Sequence, residues 1–137
     1  MKIFTASQLY EADKITIQKQ SISSEQLMER AATEIFNWLH RRMQGAQVKI
    51  QLFCGIGNNG GDGLALARQL WEHGYNIEVH VVSYSDKRSD DFLANLNKLK
   101  DRKIWPNFIQ EKTAFPHINN EEIIICLLYT SPSPRDA

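Results

Sequence analysis

Residues 48–70 read VKIQLFCGIGNNGGDGLALARQL, and the way this stretch divides decides the fold. Five of the chain's seven glycines, Gly55, Gly57, Gly60, Gly61 and Gly63, fall within nine residues of it. Glycine at that density marks a backbone that turns sharply or approaches something bulky. The run before it, Val48 to Cys54, is short, β-branched and aromatic, which predicts a strand entering a core. After it, Leu64, Ala67, Leu70 and Trp71 recur at helical spacing, and Gly74 supplies a stop. The stretch therefore reads as strand, glycine loop, helix.

Amide groups at a helix N-terminus lack partners inside the helix and carry the positive end of its dipole, so a loop leading there suits a phosphate. Asn58 and Asn59 fit such a loop, because asparagine tolerates left-handed φ and its amide both donates and accepts. Asp62 is the loop's only charged side chain and falls near the first helical position. Two readings of it stand. It caps the helix, or it faces a cation or reacting group that relieves its repulsion from a bound phosphate.

Gly55-Ile56-Gly57-Asn58-Asn59-Gly60 also satisfies G-x-G-x-x-G, a weak pattern when it stands alone. A dinucleotide-binding dehydrogenase would place an acid at the end of the following strand to hold the ribose. Here that strand, near Ile77 to Val82, ends in Ser83-Tyr84-Ser85; Asp86 comes late and Glu78 early.

The longer run Gly57-Asn58-Asn59-Gly60-Gly61-Asp62-Gly63, followed by Ala67-Arg68, is far more specific. It resembles the glycine loop of the NAD(P)H-hydrate epimerase family, the YjeF N-terminal domain. Thr5-Ala6, Glu11-Ala12-Asp13, Glu25 and Leu27-Met28-Glu29-Arg30-Ala31-Ala32 extend the likeness, resembling the two helices that precede the first strand in that family. The resemblance covers roughly residues 1–125. It implies a Rossmann-like three-layer α/β/α fold with a mainly parallel sheet, two N-terminal helices before strand one, and an incomplete C-terminal part. It also implies an isomerase that interconverts the R and S forms of hydrated NADH and NADPH in nicotinamide nucleotide repair. Site residues implied in the same way are Asn58, Asn59, Gly60, Gly61 and Asp62 for the dinucleotide substrate, Asn59 as ligand to one potassium ion (K+) per subunit, and Asp62 for positioning or proton transfer. An NAD(P)H-hydrate dehydratase is the implied functional partner, and in the native gene it can follow as a C-terminal fusion. The alternative, from a different class, is a non-catalytic nucleotide-binding or protein-interaction module on the same fold.

Composition is that of an ordinary globular domain: 137 residues, 42% hydrophobic, 23% charged. With 16 basic and 16 acidic residues the formal net charge is zero, which gives no reason to expect a nucleic-acid or anionic-membrane partner. No membrane-spanning run or signal-peptide pattern is legible, so the expected compartment is the cytoplasm. Cys54 and Cys126 each sit in an apolar run and read as buried thiols rather than a disulfide framework.

Upstream of the strand, Leu9, Ala12 and Ile15 form a helical stripe from Ser7 to Lys19. Ser23 with Gln26 fits a capping box, and Leu27, Met28, Ala31, Ala32, Ile35, Trp38 and Leu39 line one face of a second helix that Gly45 ends. These helices read as core, with packing or a homodimer contact as their further use. Downstream, Asn76 to Val82 is a strand apolar enough for burial on both faces, as in a parallel sheet. A right-handed crossover joins it to the first. Arg88 to Arg102 is a helix capped by Ser89, with Phe92, Leu93, Leu96 and Leu99 inside; a short strand follows near Phe108, and another begins at Ile123. Four scattered histidines, His40, His73, His80 and His117, show no ligand spacing.

From Cys126 the chain turns to alternating serine and proline, Ser131-Pro132-Ser133-Pro134. By the resemblance, position 126 should be an aspartate that helps bind potassium. The expectation is a partial domain over residues 1–125, with 126–137 a translated vector or assembly scar. The piece alone would then hold half the site and lack epimerase activity.

Overall fold

The computed structural model describes residues 2–5, 8–9, 24–44, 47–83, 87–110 and 115–128; at 24, 25, 58 and 59 it describes the backbone alone. In chain order the elements are β1 (Lys2–Thr5), α1 (Ser24–Met43), β2 (Ile50–Cys54), α2 (Asn58–Glu72), β3 (Ile77–Val82), α3 (Asp90–Asp101), β4 (Asn107–Ile109) and β5 (Ile123–Leu127). The five strands form one sheet in the order β1-β5-β2-β3-β4. Every neighbouring pair is parallel. The Rossmann-like α/β expectation holds.

The strand expected to come first is second. Lys2–Thr5 precedes it and pairs with β5 at the sheet edge, Phe4 opposite Ile125. Four residues of exposed edge give no alternation to read, and the pairing partner lies far along the chain. The helix expected from Ser7 to Lys19 lies outside the described residues except at 8–9, where Leu9 is buried.

Chain direction reverses its spread at β2. From there β3 and β4 step outwards to one side, and β5 returns to the other. Such a reversal opens a crevice beyond the carboxyl ends of the two strands that flank it. Here those strands are β2 and β5, joined just past their ends by the Gly55 amide donating to the Leu127 carbonyl at 3.1 Å.

Alternation along each strand sorts the side chains. Ile50, Leu52, Cys54, Val79, Val81, Ile123, Ile125 and Leu127 face one side, where they join buried residues of α1, α2 and α3 in the main core. Burying each large aliphatic here contributes about 1.5–3 kcal/mol. On the opposite side lie Phe53, Ile109 and Ile124 with part-buried Ile118 and Leu128.

Local signals explain the helix ends. Ser89 caps α3, its hydroxyl accepting from the Phe92 amide at 3.1 Å. Gly74 follows α2 at φ +87 and donates to the Trp71 carbonyl. α1 ends at Met43 and Gln44 follows at φ +47; the expected stop, Gly45, lies outside the described residues. Two residues assigned to apolar faces sit outward instead: Trp71 is 45% exposed and Leu93 41%. Among the described residues no helix is long and apolar enough to cross a membrane.

Candidate functional site

The glycine run sits at the crevice and is more helical than its composition predicts. α2 begins at Asn58, so Asn58, Asn59, Gly60, Gly61 and Asp62 form its first turn and a half rather than a loop. Glycine and asparagine are poor helix formers. Packing overrides the propensity. A Cβ on Gly60 would overlap the carbonyl of Gly55. One on Gly61 would lie 2.5 Å from Met28 Cε, and one on Gly63 would lie 2.7 Å from Cys54 Sγ. Bare backbone at these three positions lets the head of α2 rest directly on the ends of β2 and β5 and against α1.

The outer side of the turn is open. Gly57, the N-cap residue, is exposed, has nothing within 4 Å of a notional Cβ, and carries no side-chain cap. Its carbonyl accepts from the Gly61 amide at 2.9 Å, the first bond of the helix. The amides of Asn58, Asn59 and Gly60 therefore precede the intrahelical ladder and are the donors that the helix end presents. The first turn contains no acid, so its dipole is not offset from within.

Asp62 is not the cap. It is the fifth residue of α2, fully buried, and it is not without a partner.

Around the turn, α3 contributes the backbone of Phe92, whose Cα lies 3.4 Å from a notional Gly61 Cβ. Met28 supports Gly61 from α1, and Asn95 Nδ2 donates to the Met28 sulfur at 2.8 Å. Sequence reading treated Met28 as one of a core stripe; nothing in the spacing shows that its tip meets the glycine turn. β5 runs from Ile123 through Cys126 to Leu127, so the strand continues past residue 125, where the partial domain is expected to end.

Titratable groups elsewhere are structural. Complete burial, then the nearby Cys126, pushes the Cys54 thiol far above the usual range. His80 is buried on the second face of the sheet, its Nε2 donating to Gln51 Oε1 at 2.6 Å and its Nδ1 accepting from Asn107 Nδ2 at 3.3 Å. Burial lowers its pKa; Glu78 opposes that shift and Lys49 adds to it. His40 meets the Tyr75 hydroxyl at 2.7 Å, and His73 Nδ1 donates to the Gln69 carbonyl at 2.7 Å. Among the described residues no three histidine, cysteine or acidic side chains are grouped to hold a metal ion.

Comparison with known proteins places the chain. Residues 24–131 match the family model "YjeF-related protein N-terminus". An NAD(P)H-hydrate epimerase of Lentilactobacillus buchneri is 39% identical over 90 residues, covering 66% of this chain and 42% of its own. One from Anaerococcus prevotii is 30% identical over 90% of this chain and 56% of its own. The bifunctional NAD(P)H-hydrate repair enzyme Nnr of Moorella thermoacetica is 35% identical over 70% of this chain but 18% of its own. In three dimensions the chain is similar to yeast ynu0, YNL200c, with TM-score 0.68 at 24% identity, covering 94% of this chain and 57% of that one. The chain thus spans about half the length of the single-function relatives it matches, or less. With the glycine-headed α2 at the sheet's switch point, this match identifies the chain as a member of the YjeF-related N-terminal family.

Proposed function

We propose that the chain supplies the dinucleotide-holding part of an NAD(P)H-hydrate epimerase, an isomerase acting on the R and S hydrates of NADH and NADPH. One observation carries the reading: the head of α2, whose N-cap glycine brings no side-chain cap, is seated at the switch point by the close approach of Gly60 to Gly55. A pyrophosphate is the natural guest of such a helix end.

The chemistry asks little of the protein. Hydroxyl on the carbon beside the ring nitrogen departs as water, its C–O bond breaking as the nitrogen lone pair forms an iminium. Water then adds to the other face and loses a proton, giving the opposite epimer. The protein must hold the ring, exclude competing paths and move one proton each way. Complete burial of Asp62 favours a positioning role, in which the carboxylate braces the turn that carries the substrate amides.

The resemblance would also place a potassium ion beside Asn59. Cys126 stands at the end of β5 where an aspartate oxygen is implied, and sulfur is a poor ligand for a hard cation. The described donors do not fit the ion, and no step here passes through it. The same residue favours a second reading, nucleotide binding without turnover by this chain. A dehydratase partner and a homodimer remain proposals beside these.

Calorimetry with NADP should show binding that Asn59→Ala and Asp62→Asn weaken, and an epimerisation assay should show both variants slowed. Binding without turnover in the wild type selects the second reading. No binding discards both.

A further inference from the structure

We infer that Arg88, held by Ser83, recognises the 2′-phosphate of the adenosine ribose and biases the chain towards the NADPH series of hydrates. The inference rests on the dinucleotide reading above and specifies the substrate at that site.

The strand that follows a phosphate-binding helix ends beside the adenosine ribose in this kind of fold; an acid there takes the 2′-hydroxyl, and an arginine there takes a 2′-phosphate. Here that strand is β3, and the first residue past its end is Ser83. The Ser83 amide is tied to the sheet by donating to the Ile109 carbonyl at 2.9 Å. Its hydroxyl accepts from Arg88 Nη2 at 2.9 Å. Arg88 immediately precedes the Ser89 cap of α3, and its guanidinium lies 5.9 Å from the centre of the Phe92 ring. Phe92 is the residue whose backbone abuts Gly61 in the turn. Phe92 thus stands between the head of α2 and Arg88 at the β3 end.

Charge at this corner fits the assignment. Lys87 is exposed beside Arg88. Glu78 sits low on β3, where it pairs with Lys49, so it is not at the ribose end. Asp90 and Asp91 lie past the cap, in the first turn of α3. A part-buried arginine whose fork is oriented by a hydroxyl and backed by an aromatic ring is suited to a phosphate dianion, which it meets with two parallel hydrogen bonds.

The test compares NADP with NAD by calorimetry on the wild-type chain and on Arg88→Leu, Arg88→Lys and Ser83→Ala. Circular dichroism and thermal melting verify that each variant folds. The wild type should bind NADP at least about tenfold more tightly, the scale of one charge-assisted hydrogen bond. Arg88→Leu should bring the ratio to about one, Arg88→Lys should retain part of it, and Ser83→Ala should lower it. Raising salt should shrink the wild-type preference. Equal binding of both nucleotides by the wild type, or tighter NAD binding, overturns this inference and leaves the dinucleotide reading standing. Failure of both nucleotides to bind overturns that reading, and this one with it. An unchanged ratio in a folded Arg88→Leu variant also overturns it.

Discussion

Gly60 and Gly55 meet through bare backbone: a single methyl on Gly60 would occupy the position of the Gly55 carbonyl. This contact sets how deeply α2 is seated on β2, and so where its leading amides point. Gly60→Ala should therefore destabilise by about 3 kcal/mol or more, since backbone on both sides cannot yield as a side chain can. Gly57→Ala, with nothing within 4 Å, should change stability by less than about 0.5 kcal/mol. Gly61→Ala should fall between, because the tip of Met28 can swing aside. Urea melts of the three variants check the order, and a Gly60→Ala variant as stable as Gly57→Ala would refute the seating.

An ion pair fastens α1 to α2. Arg68 reaches Glu29 through Nη2 and Glu72 through Nη1 at 2.7 Å, with its side chain 11% exposed. Arg102 lies 3.4 Å from the same Glu72, which brings α3 into the network. Gln69 Nε2 also donates to Glu29 at 3.0 Å. Arg68→Leu alone takes from the part-buried Glu29 its arginine partner, leaving Gln69 and the more distant Lys98, and should cost roughly 1–3 kcal/mol. The double change Arg68→Leu with Glu29→Met should cost less than the sum of the single changes, because neither charge is then stranded. Strict additivity in the double-mutant cycle would show the pair to be energetically idle.

Stability should fall as acid is added through the range where histidine titrates. His80 is held below its ordinary value of 6.5, chiefly by burial. The unfolded chain therefore binds this proton at higher pH than the folded one. The sign follows: the contribution is fully present above about pH 6.5 and is lost as pH drops towards the folded value. Protonation would also place a second ring N–H against the amide of Asn107. Denaturant midpoints from pH 8 to pH 5 should decline in the wild type and decline less in His80→Gln; parallel profiles would count against this assignment.

Thiol chemistry should distinguish the two cysteines. Cys54 is completely buried and its thiolate is strongly disfavoured, whereas Cys126 is only part-buried. A thiol-exchange reagent at pH 8 should modify Cys126 first and Cys54 only as fast as the protein unfolds. Equal rates under native conditions would mean that the end of β2 opens on its own.

Most of the sheet's inner half was legible in the sequence. β2, α2 and β3 each carry a strong local signal, and Ser89 marks α3 from its side chain alone. The start of α2 was misplaced because a run of Asn and Gly argues against helix locally, while the contacts that enforce helix there come from Gly55, Met28 and Leu127, distant in sequence or invisible to periodicity. β1 was illegible for a similar reason, being a short exposed edge strand that pairs with β5. Asp62 stands out in the sequence as the run's one charged residue, but its burial does not, because whether that position caps the helix depends on where the helix begins. The pairing of Arg88 with Ser83 joins residues on opposite sides of a turn and leaves no trace in spacing.

The polar line across the second face of the sheet bears on how the strands find their alignment. His80 donates to Gln51, and Gln51 Nε2 donates to Glu122 at 3.1 Å, linking β3, β2 and the threshold of β5. Aliphatic ladders of Ile and Val are nearly interchangeable when strands slide, and a two-residue slip keeps every side chain on its proper face. Such a slip would part His80 from Gln51 and Gln51 from Glu122, leaving buried donors and acceptors unmatched. Three polar side chains thereby act as a vernier for an otherwise greasy sheet, rejecting misaligned pairings that the hydrophobic core alone would tolerate.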